Sequence, residues 1–99
     1  MDFHKVKFIL NPKAGCKGTR RKVIAALNKA FSCSALPYHI ELTQRKGDGT
    51  RIAAEALAQG YDLIVAIGGD GTIAEVGPAL IHTRGILGII PTGSGNALA

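Results

Sequence analysis

Leu63-Ile64-Val65-Ala66-Ile67-Gly68-Gly69-Asp70-Gly71-Thr72 runs from an apolar stretch into a glycine-rich turn, with a helical pattern behind it. Five apolar residues in a row suit a strand buried on both faces of a parallel sheet. The glycines then let the backbone turn tightly and come close to a ligand, because no Cβ intervenes. A helix that starts there aims its unpaired N–H groups and the positive end of its dipole at the same point, which favours a phosphate. The junction reads as a phosphate site with one carboxylate, Asp70, beside it.

Working outward, Val6 to Leu10 is a second buried strand, followed by the loop Asn11-Pro12-Lys13-Ala14-Gly15-Cys16-Lys17-Gly18. From Thr19, a candidate N-cap, Val23, Ile24, Leu27, Ala30 and Phe31 recur on one helical face. Leu36-Pro37 opens a further strand, in which Tyr38, Ile40 and Leu42 alternate with His39 and Glu41, the pattern of a half-exposed strand at a sheet edge. The loop Thr43 to Gly49 leads to a helix carrying Ile52, Ala53, Ala56 and Leu57, which Gly60 stops. Behind Thr72, the residues Ile73, Val76, Leu80 and Ile81 share a helix face, and Gly77-Pro78 predicts a kink or a restart. Ile86 to Ile90 is a fourth strand. It ends in Pro91-Thr92-Gly93-Ser94-Gly95-Asn96, and Ala97-Leu98-Ala99 reads as the first turn of one more helix.

Strands and helices that alternate in this way predict a three-layer α/β/α domain of Rossmann-like type, with a mostly parallel sheet of about four strands and right-handed crossovers. Ligands of such folds bind at the carboxyl ends of the strands. Every glycine-rich loop of this chain lies at such an end.

Ninety-nine residues make one domain, and 46% hydrophobic against 19% charged residues excludes a disordered chain. No apolar run approaches the roughly 18 residues of a membrane span. The start Met1-Asp2-Phe3-His4-Lys5 lacks the layout of a signal peptide. Cys16 and Cys33 have no metal-ligand spacing and make no disulfide framework, which points to a reducing cytoplasm. The net charge is +5, with five basic residues between Lys13 and Lys22 and three between Arg45 and Arg51. Both groups lie near helix starts, where they oppose the dipole. Either a bound anion resolves that conflict or the charges are solvated. Nucleic acid fits poorly, since there is no Trp and only 5% aromatic residues for base stacking.

The tetrapeptide Gly69-Asp70-Gly71-Thr72 also occurs as Gly47-Asp48-Gly49-Thr50. Only the later copy follows a fully apolar strand and carries the extra Gly68. The earlier copy reads as a turn with a helix cap.

Three motifs in order, Asn11-Pro12-Lys13-Ala14-Gly15, then Gly68-Gly69-Asp70-Gly71-Thr72 with Glu75-Val76, then Pro91-Thr92-Gly93-Ser94-Gly95-Asn96-Ala97-Leu98-Ala99, resemble the diacylglycerol kinase catalytic domain. That family includes sphingosine kinases and bacterial lipid kinases. The resemblance spans nearly the whole chain and implies transfer of the ATP γ-phosphate to a lipid hydroxyl, with Mg²⁺. It implies that Asn11, Gly15 and Thr43 contact the nucleotide, that Gly68, Gly69, Gly71 and Thr72 wrap its phosphates, and that Gly93, Ser94, Gly95 and Asn96 close the site. Asp70 would be the catalytic acid group near phosphate and metal. Glu75 is either a second metal ligand or a first-turn acid favoured by the helix dipole. Arg20, Arg21 and Lys22 either contact phosphates or are solvated.

One departure lies in the first motif, where the second glycine, Gly18, comes one residue later than in many family members. The other is length. Family enzymes continue into a mostly β domain that carries lipid-binding surface, so residues 1–99 correspond to the nucleotide-binding part, without that domain. The expectation is that these residues alone do not catalyse efficiently, and that the lipid acceptor is met at a membrane surface through the further domain by a cytoplasmic protein. Two other readings share the Gly-Gly-Asp-Gly-Thr turn: an NAD-kinase-like phosphotransferase, against which the first and third motifs speak, and a non-catalytic nucleotide-binding regulatory module.

Overall fold

The computed structural model describes residues 3–13 and 19–91. The elements are β1 (Val6–Leu10), α1 (Thr19–Phe31), β2 (Tyr38–Leu42), α2 (Asp48–Ala58), β3 (Leu63–Gly68), α3 (Asp70–Ala79) and β4 (Ile86–Pro91). The four strands form one sheet in the order β2-β1-β3-β4, and every neighbouring pair is parallel. The α/β class, the four-stranded parallel sheet and the strand order along the chain agree with the sequence reading. Residues 92–99, with the expected helix turn at Ala97-Leu98-Ala99, lie outside the described residues.

The layers follow from strand alternation. On β1, Val6, Phe8 and Leu10 point to one face and pack with Val23 and Leu27 of α1. Ile9 points to the other face and joins Ile52, Ala53 and Ala56 of α2 with Val76 and Leu80 of α3. The chain steps from β1 to β2 in one direction along the sheet and from there across β1 to β3 in the other. Right-handed crossovers that step in opposite directions place their helices on opposite faces. The reversal leaves a switch point between β1 and β3, beyond their carboxyl ends, where ligands of such sheets bind.

Two expectations needed refinement, one for the buried strand β1 and one for the apolar face of α1. Lys7 lies in the middle of β1 and is 5% exposed. Its ammonium is satisfied by Glu41 Oε1 at 2.8 Å and by His39 Nδ1 at 2.8 Å, which offsets the cost of burying a charge. His39 and Glu41 thus form the polar face of β2, as their alternation implied. On α1, Ala30 is exposed, while Phe31 is half-buried and meets Phe8 edge-on at 5.3 Å between centroids.

The expected kink or restart at Gly77-Pro78 does not occur. Pro78 sits in the last turn of α3, and the N–H groups of Leu80 and Ile81 bond the carbonyls of Gly77 and Pro78 at 3.0 and 3.3 Å as the helix closes. A proline there removes only one bond, near an end where the ladder stops anyway. With the helix finished at Ala79, Ile81 no longer follows its period and stands 62% exposed instead of on the buried face.

At the end of the sheet away from the strand carboxyl ends, Asp62 fastens the start of β1. Its carboxylate accepts the N–H of His4 at 2.8 Å and of Lys5 at 3.0 Å. These bonds hold its carboxyl below the ordinary range.

Ile64 and Ile89 separate core from rim. Ile64 is fully buried between the helices, and Ile89 on edge strand β4 is 48% exposed. Ile64→Ala should cost about 2–5 kcal/mol of unfolding free energy in urea titrations, and Ile89→Ala about 1 kcal/mol or less. Equal losses would contradict the assignment of the core.

Candidate functional site

A cleft of about 660 Å³ opens beyond the carboxyl ends of β1, β2 and β3. The loop after β1 supplies Asn11, Pro12 and Lys13. The loop after β2 supplies Thr43, Gln44, Arg45 and Lys46. The β3–α3 junction supplies Gly69, Gly71, Thr72 and Glu75. The ladder extends past the strands to hold these loops: Asn11 N–H bonds Ile67 O at 3.1 Å, and Thr43 N–H bonds Leu10 O at 2.9 Å. Asn11 Oδ1 accepts the N–H of Lys13 at 3.0 Å, so its side chain shapes its own loop as an Asx turn.

At the junction, the three glycines have different reasons to be glycine. Gly68 is a packing residue. A Cβ there would lie 2.5 Å from Thr72 Oγ1 and 3.5 Å from Asn11 Cβ, so the bare backbone admits the first turn of α3. Gly69 and Gly71 are not constrained in this way. Among the described residues a Cβ on either would meet nothing within 4 Å, and neither has a positive φ. Both lie on the cleft wall. Gly69 O already accepts the N–H groups of Thr72 and Ile73, while the amides of Asp70 and Gly71 precede the point where intrahelical bonding begins.

The loop after β2 is built by the earlier copy of the tetrapeptide. Gly47 has φ 93°, a left-handed conformation that glycine adopts without strain. Asp48 opens α2, and its Oδ2 accepts the N–H groups of Gln44 and Arg45 at 2.8 and 3.1 Å. The turn half of the reading of this copy holds and the cap half does not: no side-chain cap bond forms at Gly47, because the Asp48 carboxylate bonds back into the loop and not forward into the helix. The Gln44 N–H holds the Asp48 carboxyl below its ordinary value; burial opposes this, while the Arg45 N–H and the nearby Arg51 and Arg45 charges add to it.

Glu75 joins the two copies. Its Oε2 accepts Gly47 N–H and its Oε1 accepts Gly49 N–H, both at 3.0 Å. The N-terminus of α2 is thus capped by a carboxylate from α3.

Of the residues expected at the site, Asn11, Thr43, Gly69, Gly71, Thr72 and Glu75 border one cleft. Gly68 lies buried behind it. Asp70, between two wall residues, is exposed. Gly15, Gly93, Ser94, Gly95 and Asn96 lie outside the described residues. The sequence reading did not name Lys13, Arg45 and Lys46 as site residues, although it recorded the basic clusters that contain them. Their signal was position: each shares a short loop at a strand end with a residue expected to touch the ligand, Lys13 with Asn11, and Arg45 and Lys46 with Thr43. Arg20, Arg21 and Lys22 are exposed in the first turn of α1 and do not border the cleft.

The diacylglycerol kinase catalytic domain family matches residues 5–99. A Pseudomonas aeruginosa protein named "Probable lipid kinase YegS-like" is 41% identical over all of this chain and 32% of its own length. A Bacillus subtilis protein named "Diacylglycerol kinase" is 37% identical over 96% of this chain and 32% of its own. The chain spans about a third of the length of these curated relatives. A crystal structure of a diacylglycerol kinase from Bacillus anthracis superposes with TM-score 0.76 at 36% identity, covering 95% of this chain and 35% of that one. A solution structure of a phosphate-loop protein, 18% identical, shares the fold with TM-score 0.69 over 91% of this chain and 80% of its own.

Asp48 gives the loop after β2 a pH signature. Its folded pKa lies below the ordinary 3.8, so the stability it contributes is present above that value and is lost as pH falls through the lowered one. Asp48→Asn should be less stable than the parent at neutral pH, and the gap in urea midpoint should close as the solution is acidified below about pH 3.9. A gap independent of pH would rule out the carboxylate as its source.

Proposed function

The chain belongs to the diacylglycerol kinase catalytic domain family, and from that premise we propose that its cleft binds ATP for transfer of the γ-phosphate to a lipid hydroxyl. The observation that carries this reading is the pair Gly69 and Gly71. Among the described residues nothing in the fold asks for a glycine at either position, yet both border the cleft. Such a cradle lets a phosphate approach the amides at the start of α3, where the helix dipole also favours an anion.

The remaining walls suit a polyphosphate. Lys13, Arg45 and Lys46 bring positive charge, and Thr43, Thr72 and Asn11 bring polar groups of the kind that orient a nucleotide. Phosphoryl transfer needs positioning and charge neutralisation more than covalent help from the protein. Among the described residues no three His, Cys, Asp or Glu side chains gather into a metal cluster. Mg²⁺ takes one or two carboxylates along with nucleotide phosphates and water. Asp70, exposed at the start of α3, is the carboxylate that would hold it. The ion supplies positive charge beside the transferred phosphate.

A lipid acceptor, diacylglycerol-like in one case, follows the names of the relatives; a sphingosine-like acceptor follows only the family resemblance of the three motifs. Access to it would come from a peripheral position at a membrane surface; among the described residues no helix is long and apolar enough to cross one. The family match over residues 5–99 favours this reading over an NAD-kinase-like phosphotransferase.

The test sets stability against binding. Alanine is favoured over glycine inside a helix by up to about 1 kcal/mol, and a Cβ on Gly71 meets no protein atom. Gly71→Ala should therefore hold or raise the melting temperature while weakening ATP binding at least about tenfold by calorimetry. Asp70→Ala should remove the gain in affinity that Mg²⁺ confers. Undiminished ATP binding by Gly71→Ala would refute the phosphate cradle.

A further inference from the structure

Two of the three walls of the cleft belong to segments far apart in the chain, residues 43–46 and 69–75. Nothing in a parallel sheet fixes the distance between two loops beyond its strand ends. Here a single carboxylate spans them. Both Glu75 oxygens are used, one on Gly47 N–H and one on Gly49 N–H, and Thr50 Oγ1 donates to Glu75 O at 2.7 Å. The contact is close enough to constrain the sequence on the other side: a Cβ on Gly49 would stand 2.9 Å from Glu75 Oε1 and 3.0 Å from its Cβ. From Gly47 the connection continues through Asp48, whose carboxylate holds Gln44 and Arg45 by their amides.

We propose that Glu75 is a positioning residue of the nucleotide site: its carboxylate ties the Thr43–Lys46 wall to α3 and so sets where Arg45 and Lys46 stand relative to the Gly69–Thr72 turn. It acts through Gly47 and Gly49, not as a ligand of Mg²⁺. A charge-assisted bond to each of two backbone amides commits both oxygens and neutralises the N-terminus of α2. This inference rests on the nucleotide reading given above.

The test uses the 99-residue chain with ATP as probe, with and without Mg²⁺, by calorimetry, together with amide hydrogen exchange at Gly47 and Gly49. Glu75→Gln keeps the shape of the side chain but replaces one acceptor by an N–H₂ group. It should weaken ATP binding about tenfold, a size expected for loss of a charged hydrogen bond. The loss should be equal with and without Mg²⁺, and both glycine amides should exchange faster. Gly49→Ala pushes on the same oxygen from the other side. It should reproduce the loss, and the double variant should bind no more weakly than the weaker single variant. A loss confined to Mg²⁺-containing solutions would make Glu75 a metal ligand and overturn the proposal. So would unchanged affinity alongside faster exchange. Gly71→Ala serves as the reference: if it loses ATP while Glu75→Gln does not, only the role of Glu75 fails, whereas a parent chain that binds no ATP removes the nucleotide reading and this inference with it.

Discussion

The parallel ladder between β1 and β3 is the constraint on which the rest depends. Leu10 pairs with Ile67 at its last rung, and Asn11 N–H and Thr43 N–H continue the bonding beyond the strands on Ile67 O and Leu10 O. Three loops are thereby brought to one level at one end of the sheet. The register also decides which side chains are buried, because a slip of one residue would turn Ile9 and Ile64 to the opposite face. The core and the cleft are therefore two consequences of one pairing.

The repeated tetrapeptide shows how little local sequence decides by itself. Both copies begin a helix with an aspartate in the first turn, where the dipole favours it. At Gly47 the preceding loop must reverse, so the glycine takes φ 93°, and Asp48 turns back to hold that loop. At Gly69 the chain leaves a fully buried strand in an extended conformation, φ −92°, and nothing needs the carboxylate of Asp70 to stabilise a turn. One aspartate is consumed by the fold and the other is left exposed. The length and burial of the segment before each copy make the difference.

The order of elements was legible in the sequence because periodicity reports burial directly. The bounds of β1 and the start of α1 follow from apolar pattern and helix-start residues, while β2 begins at Tyr38 and not at Leu36-Pro37, since a proline has no N–H to give to the ladder. Gly60, with φ 94°, stops α2 as expected. Pro78 misled for a definite reason: its cost depends on whether a helix continues beyond it, which the packing of Leu80 decides and the local sequence does not. The site was legible where it consists of glycines and loop residues at strand ends. It was not legible where a side chain acts at long range. Glu75 lies 28 and 26 positions from the amides it binds, and no local pattern distinguishes such a cap from a first-turn acid or a metal ligand.

That distant cap also settles an electrostatic question left open by the basic clusters. Two helices, α2 and α3, begin beside the cleft, and each brings the positive end of a dipole. With Lys13, Arg45 and Lys46 nearby, both helix ends would add to an unbalanced positive charge. Glu75 neutralises the α2 end with a protein carboxylate, so that end is filled from within. At the α3 end the amides of Asp70 and Gly71 precede the start of intrahelical bonding, and among the described residues Asp70 is an exposed carboxylate beside them. On the nucleotide reading proposed above, one helix end of the cleft is closed by Glu75 and the phosphates would dock at the other, at Gly69 to Gly71, with the cations of the other two loops around them.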